Sequence, residues 1–534
     1  MSYPLLKSMP RSAAVLVTAG FFLLALPSPA SVLNTNGVAL LRATTTNLHG
    51  AGLRIAQPEA SGDTNTLDFQ VSPGDGNVAQ PVSLFTYESR LGTANTYPNG
   101  VGSFSGHATQ VASFLCGRNF GVATNVSHVL NLDADYFINT YIDQPAPVDS
   151  GADIVNQSFI FGPLPVPTQQ SVDSSYDDAA VAFNTLFVSG AGNGGQVSAP
   201  ATCYNGLGVA AFGGASSFGP TLDNGRCKPD IAAPAGATSF STPQVAGAAA
   251  LLWQAGARGD GGADTNAATR IQTLKALLLN GAVKPANWTN SSTVPLDLRH
   301  GAGVLNVFNS YRQLVGGKHA TIASVSVPTG DPHPPTGASG TVGALSGWDF
   351  ATLSSSMTSD RVNHYYFNVT NSLGAPFTAT VTLVWNRQQN ESAINDLDLF
   401  LYDTATSNVV AESVSFVNNT EHLYLPALPP GRYDLQVWKA GGNAANGRIS
   451  NGETYALAWE FFVQPLASAA TETNITLRWA AYPDGFVLQS ATNLASPAVW
   501  TTVTNAPGVV MNTNTVTLPL TNGAQFFRLK RPMF

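Results

Sequence analysis

Charge is scarce in this chain. Lys and Arg total 24 and Asp and Glu total 32, only 10% of 534 residues, for a formal charge of −8. Nucleic acid and anionic membrane surfaces demand clustered cations, so this balance argues against both as partners. Cysteine is scarcer still. Cys116, Cys203 and Cys227 are too few for a disulfide scaffold. One bridge at most is expected, with Cys203–Cys227 as the pair and Cys116 as a buried thiol. Beyond the first 30 residues no run of about 18 apolar residues occurs, so no membrane span is expected. No EF-hand loop and no His/Cys zinc spacing is found either.

What is present begins with a leader-like segment. Lys7 and Arg11 precede AAVLVTAGFFLLAL, which ends in PSPA with small residues at Ser28 and Ala30. That order predicts a secretory signal peptide over 1–30, with a short membrane anchor as the competing reading. The expectation is a secreted, extracellular or cell-surface protein. Removing Lys7 and Arg11, and no acid, takes the charge from −8 to −10. Plentiful glycine (50) and proline (34) suit a loop-rich, β-rich extracellular chain, and the length predicts several domains.

Two patterns divide the chain. Between about 50 and 315 short apolar runs alternate with alanine-rich helical stretches: LRIA (53–56), ADIVNQSF (152–159), SSYDDAAVAF (174–183) and NTLFVSGAGN (184–193). Such alternation predicts an α/β domain with a mostly parallel sheet, placed at 31–320. A linker is expected over 321–340, where the composition turns to glycine and proline. Beyond it FTATVTLVW (377–385), DLDLFLY (396–402), RYDLQVW (432–438) and YALAWEFF (455–462) have period 2. They predict a β-sandwich over 341–465, with a small C-terminal β module at 466–534.

Three stretches in the first domain carry polar residues in settings of small ones. GHATQVASFLCG (106–117) starts a helical run at His107, SGAGNGG (189–195) puts Asn193 after an apolar strand, and GATSFSTPQVAG (236–247) places Ser239 at a helix start. Taken singly, each has a plain reading: a structural histidine, a turn asparagine, a helix cap. Together they resemble the subtilisin-like serine proteases. GHATQVAS is similar to that family's histidine motif, GAGNGG to its oxyanion loop, and ATSFSTPQVAG to its serine motif, with Ala237 where glycine is usual. GRCKPDIAAPA (225–235) and HGAGVLNVFNSY (300–311) add to the likeness.

The resemblance implies a three-layer α/β domain and a serine endopeptidase acting through an acyl-enzyme on protein or peptide substrates. Ser239 would be the nucleophile, His107 the general base, and Asn193 the oxyanion donor. No cofactor is implied for catalysis. Pro243 is expected in the first helical turn, where a missing N–H does least harm. Asn156, Gln157, Ser158 and Phe159, with Gly190, Ala191 and Gly192, match the substrate-binding segments. Ile160 and Phe161 replace glycines there, so specificity is not carried over.

The acid departs from the family pattern. Aligning GLRIA with the family's first core strand puts Glu59 at the usual aspartate. Asp63, Asp68 or Asp75 could do the same work, and an impaired protease is the third reading. A rival function follows: a silent scaffold that binds a surface ligand. With only about twenty residues between Ala30 and the core strand, no pro-domain is expected. INDLDLFLYD (394–403) resembles appended sandwich domains, which offers Asn395, Asp396 and Asp398 as a structural calcium site, or equally as solvated acids. A monomer is expected.

Overall fold

The computed structural model describes residues 29–45, 47–62, 67–329, 333–356, 358–371, 376–441, 451–463, 466–480, 486–495, 498–510, 513–520 and 523–530. The expected signal peptide therefore falls almost wholly outside the described residues, as does Asp63.

Two short helices, α1 (Pro29–Thr35) and α2 (Val38–Thr44), open the described chain. They lie on its body through the buried Val38 and Leu41, and Asn36 donates to Gln244 at 3.1 Å. There follow β1 (Arg54–Glu59), β2 (Asp68–Gln70), β3 (Phe85–Ser89), β4 (Gly92–Ala94), β5 (Ser103–Phe104) and α3 (Gly106–Leu115). Next come β6 (His128–Asp133), α4 (Ala134–Phe137), β7 (Ile154–Gln157), α5 (Val166–Phe183), β8 (Leu186–Gly190), β9 (Leu207–Phe212) and β10 (Ile231–Pro234). Helices α6 (Thr238–Ala257), α7 (Thr265–Ala268), α8 (Ile271–Asn280) and α9 (Val307–Val315) complete the α/β region.

The main sheet has the order β10-β9-β8-β7-β1-β6-β3-β4, and only the β3–β4 pair is antiparallel. Strands such as β8 and β10 are buried throughout, as a sheet covered on both faces requires. Helix α6 is apolar nearly all round because it runs through the middle of this layer. Its Gly247 has no room for a side chain: a Cβ would lie 2.6 Å from Val122 Cβ. Strand β1 sits between β6 and β7, where the winding changes direction. In such sheets the crevice forms beyond the carboxyl ends of the strands. Glu59, Gln157 and Gly190 end β1, β7 and β8 at this edge.

The rest of the described chain is all β, as the alternation predicts. β11 (Ala323–Pro328), β12 (Ser346–Leu353), β13 (Ser359–Val369), β14 (Phe377–Trp385), β15 (Leu397–Asp403), β16 (Val409–Ser413), β17 (Thr420–Leu428), β18 (Gly431–Lys439) and β19 (Glu453–Phe462) form two sheets, β11-β13-β18-β15-β16 and β12-β19-β14-β17. Leu397, Leu399 and Leu401 share one face and enter the sandwich core with Leu435, Val437 and Trp459. The final strands are β20 (Ala467–Ala470), β21 (Asn474–Ala480), β22 (Val487–Ala491), β23 (Thr501–Thr502), β24 (Gly508–Val510), β25 (Thr513–Pro519) and β26 (Phe526–Lys530), in two small sheets around Leu477, Trp479, Leu488 and Val516.

Two expectations are corrected. The segment read as a linker opens with β11, which pairs with β13, because Ala323, Val325 and Val327 alternate like any edge strand. Cys203 and Cys227 are not bridged. All three cysteines are free and buried, and desolvation pushes each thiol up to about 12.

The α/β region and the sandwich share one apolar cluster, to which Trp348, Val384, Ala456 and Ala458 contribute from the β side. Arg387 reaches into α5, donating to Asp177 at 3.0 Å, Asp178 at 2.8 Å and the Ser174 carbonyl at 2.8 Å. Asn280 Oδ1 accepts from the Thr380 and Thr382 hydroxyls at 2.9 and 3.0 Å.

Candidate active site

Ser105 caps α3, its hydroxyl accepting from Ala108 N at 3.1 Å, and so fixes the first turn that carries His107. The imidazole Nδ1 meets Glu59 Oε1 at the end of β1. Glu59 is 4% exposed, and its second oxygen, Oε2, has no hydrogen-bond partner among the described residues. Burial would depress the His107 pKa, but the charge and hydrogen bond of Glu59 outweigh it and hold the imidazolium above its ordinary value. The rest of the ring faces Phe240, with centroids 5.8 Å apart. Asp68 lies on β2 and Asp75 in a turn, accepting from Asn77 N. Neither meets His107.

Ser239 is the second residue of α6. Pro243 is not in the first turn as expected; it is the sixth residue, and without an N–H it leaves the Ser239 carbonyl unclaimed within the helix. The Ser158 hydroxyl claims it instead, at 2.9 Å. In return Ser239 Oγ donates to the Ser158 carbonyl at 3.4 Å, and no hydrogen bond joins it to His107.

Asn193 is exposed in the loop after β8. Its Oδ1 accepts from Thr238 N and from Thr238 Oγ1, both at 2.9 Å, so the amide nitrogen is turned outward with no bond among the described residues. Thr238 went unnoticed in the sequence, because a threonine before the serine looks like one more small polar residue. It is the group that orients Asn193.

The expected substrate segments flank this point. Ser158 adjoins Ser239, Phe159 packs edge-on against Phe161, and Asn156 and Gln157 are fully buried on β7, bonded to Ser158 and Tyr176. Gly190 and Ala191 are buried too, and Gly192 has a φ of +104°, where a side chain would strain the backbone. In the sandwich Asn395 is buried and donates to Glu453 at 2.7 Å; burial pushes the Glu453 carboxyl up to about 7. Among the described residues no group of three His, Cys, Asp or Glu converges to hold a metal.

Residues 83–303 match the family model described as the subtilase family. This segment of the chain is a subtilase domain. His107, Asn193 and Ser239 fall inside the match, and Glu59 lies before it. No curated protein matches the chain. Among solved structures, the chain is similar to the prenylagaramide maturation protease PagA, at 21% identity over 53% of this chain and 99% of that one, with a TM-score of 0.34. It is also similar to the Aeromonas sobria serine protease in complex with its chaperone, at 13% identity over 92% and 90%, TM-score 0.35. Tripeptidyl peptidase 2 gives 13% over 73% and 43%, TM-score 0.27. No helix among the described residues is long and apolar enough to cross a membrane.

Proposed function

We propose that this subtilase is a secreted, monomeric serine endopeptidase in which Glu59 stands in the place of the family's aspartate. The observation that carries this reading is the contact of His107 Nδ1 with the buried Glu59 carboxylate. That contact fixes the tautomer with Nε2 as the acceptor and stabilises the imidazolium formed when Ser239 gives up its proton. Rotation of the Ser239 hydroxyl from the Ser158 carbonyl toward Nε2 starts the reaction; catalytic hydrogen bonds are commonly loose before substrate binds. The oxygen of the attacked carbonyl takes up charge and is met by the Asn193 amide and the Ser239 N–H at the α6 N-terminus. His107 then protonates the departing amine, and water repeats the sequence on the acyl-enzyme.

Fluorophosphonate labelling of the full chain, with the modified peptide located by mass spectrometry, tests the reading. Label on Ser239, absent from Ser239→Ala, is expected. The Ser239–Ser158 bond favours one rival, a silent scaffold, and a folded but unlabelled protein would establish it.

A further inference from the structure

The crevice beside Ser239 is bounded by the chain leaving β7 and the chain leaving β8. Ser158, on the first, exchanges hydrogen bonds with Ser239, and Asn193 ends the second. A substrate carbonyl held between Ser239 and Asn193 must therefore direct the side chain on its acyl side between these segments.

Ile160, half-buried, reaches across that space. A Cβ built on Gly192 would lie 3.5 Å from Ile160 Cδ1, so the isoleucine already rests against the bare backbone of the oxyanion loop. The same Cβ would be 2.6 Å from Ser217 Oγ on the other side. Behind the loop Ala191, Val197 and Ala201 close up as a small apolar cluster. Ile160 is held at both ends. Ser158 is tied to the Ser239 carbonyl, and Phe161, itself buried, donates its N–H to Ala199 O at 2.8 Å and packs edge-on against Phe159. None of these residues is charged.

From this uncharged crevice, spanned by Ile160, we infer that Ile160 restricts the residue supplying the scissile carbonyl to glycine or alanine. The inference rests on the peptidase reading and narrows it to a substrate class. A longer side chain must displace a braced isoleucine, and a mismatch of one methylene in an apolar pocket changes specificity by about 10–200-fold.

The test uses N-acylated peptides that differ only at that residue (Gly, Ala, Leu or Phe), with enzyme concentration set by fluorophosphonate titration. The full chain is expected to favour alanine over leucine and phenylalanine by at least about 10-fold in kcat/KM. Ile160→Gly is expected to raise the leucine and phenylalanine rates by about 10–200-fold relative to alanine. Ile160→Ala, read by the same ratio, serves where the glycine variant does not fold. Equal rates on alanine and phenylalanine, or a ratio unmoved by both variants, overturn the inference and leave the peptidase standing. No cleavage of any peptide together with no labelling of Ser239 overturns both.

Discussion

Two buried polar clusters in this molecule have opposite characters. Around Arg387 the donors and acceptors are matched: the guanidinium meets Asp177, Asp178 and backbone carbonyls of both regions it joins. At the carboxyl edge of the main sheet the accounts stay open. Among the described residues Glu59 Oε2 lacks a partner, the Asn193 amide points outward, and Ser239 Oγ makes one long bond. A matched network holds parts together, whereas a partly unmatched one keeps capacity for charges and bonds that appear only during a reaction. The difference separates architecture from chemistry more sharply than burial does, since Glu59 and Arg387 are equally hidden.

Substitutions on each side should keep that separation. The largest effect is expected from Ser239→Ala or His107→Ala, about 10⁶ in kcat with an unchanged melting curve. Glu59→Gln removes the charge that sets the imidazole and should cost about 10⁴ in kcat, again with the fold intact. Near-wild-type turnover there would move the acid's role elsewhere. Arg387→Ala is the converse case. It strands Asp177 without its cation and should cost about 3–5 kcal/mol by denaturant titration, while turnover per labelled Ser239 stays unchanged. Thr238→Val removes the hydroxyl bond to Asn193 Oδ1 and keeps the backbone one, so the amide is held less firmly and a loss of at most about 10²-fold in kcat with little change in KM is expected. The smallest effect concerns pH. Because the His107 pKa is raised, neutral base and activity appear only as pH rises through a value above the ordinary 6.5 or so. The protonated pair stabilises the fold below the unfolded-state pKa, and that contribution is lost as pH rises through the folded one. Labelling rate against pH should show this acid limb, and it would fall below the ordinary imidazole value if Glu59 were not charged beside the ring, because burial alone depresses it.

The placement of the candidate residues was legible where motifs surround them: His107 in the first turn of α3, Asn193 after β8 and Ser239 at the start of α6. His107, Asn193 and Ser239 each stand among small residues whose order is dictated by close backbone approach. Strand alternation was equally plain, and β14 covers the expected 377–385. What escaped reading depended on geometry outside the local window. Thr238 acts only through Asn193, 45 residues away, and the Pro243 gap is closed by Ser158, 81 residues before Ser239. The β11 strand hid in a stretch whose proline and glycine begin only at its last residue, Pro328. The cysteine pair failed for a related reason: separation along the chain says nothing about whether two Cβ vectors meet.

The three free cysteines have a practical side. Each is buried, with its thiol held far from the ionised form that reacts with alkylating reagents. Iodoacetamide or maleimide applied to the folded protein should leave it untouched and active. One cysteine introduced on an exposed loop would then be the sole position to take a dye or spin label, so distances across the subtilase–sandwich junction could be measured without first stripping the native thiols.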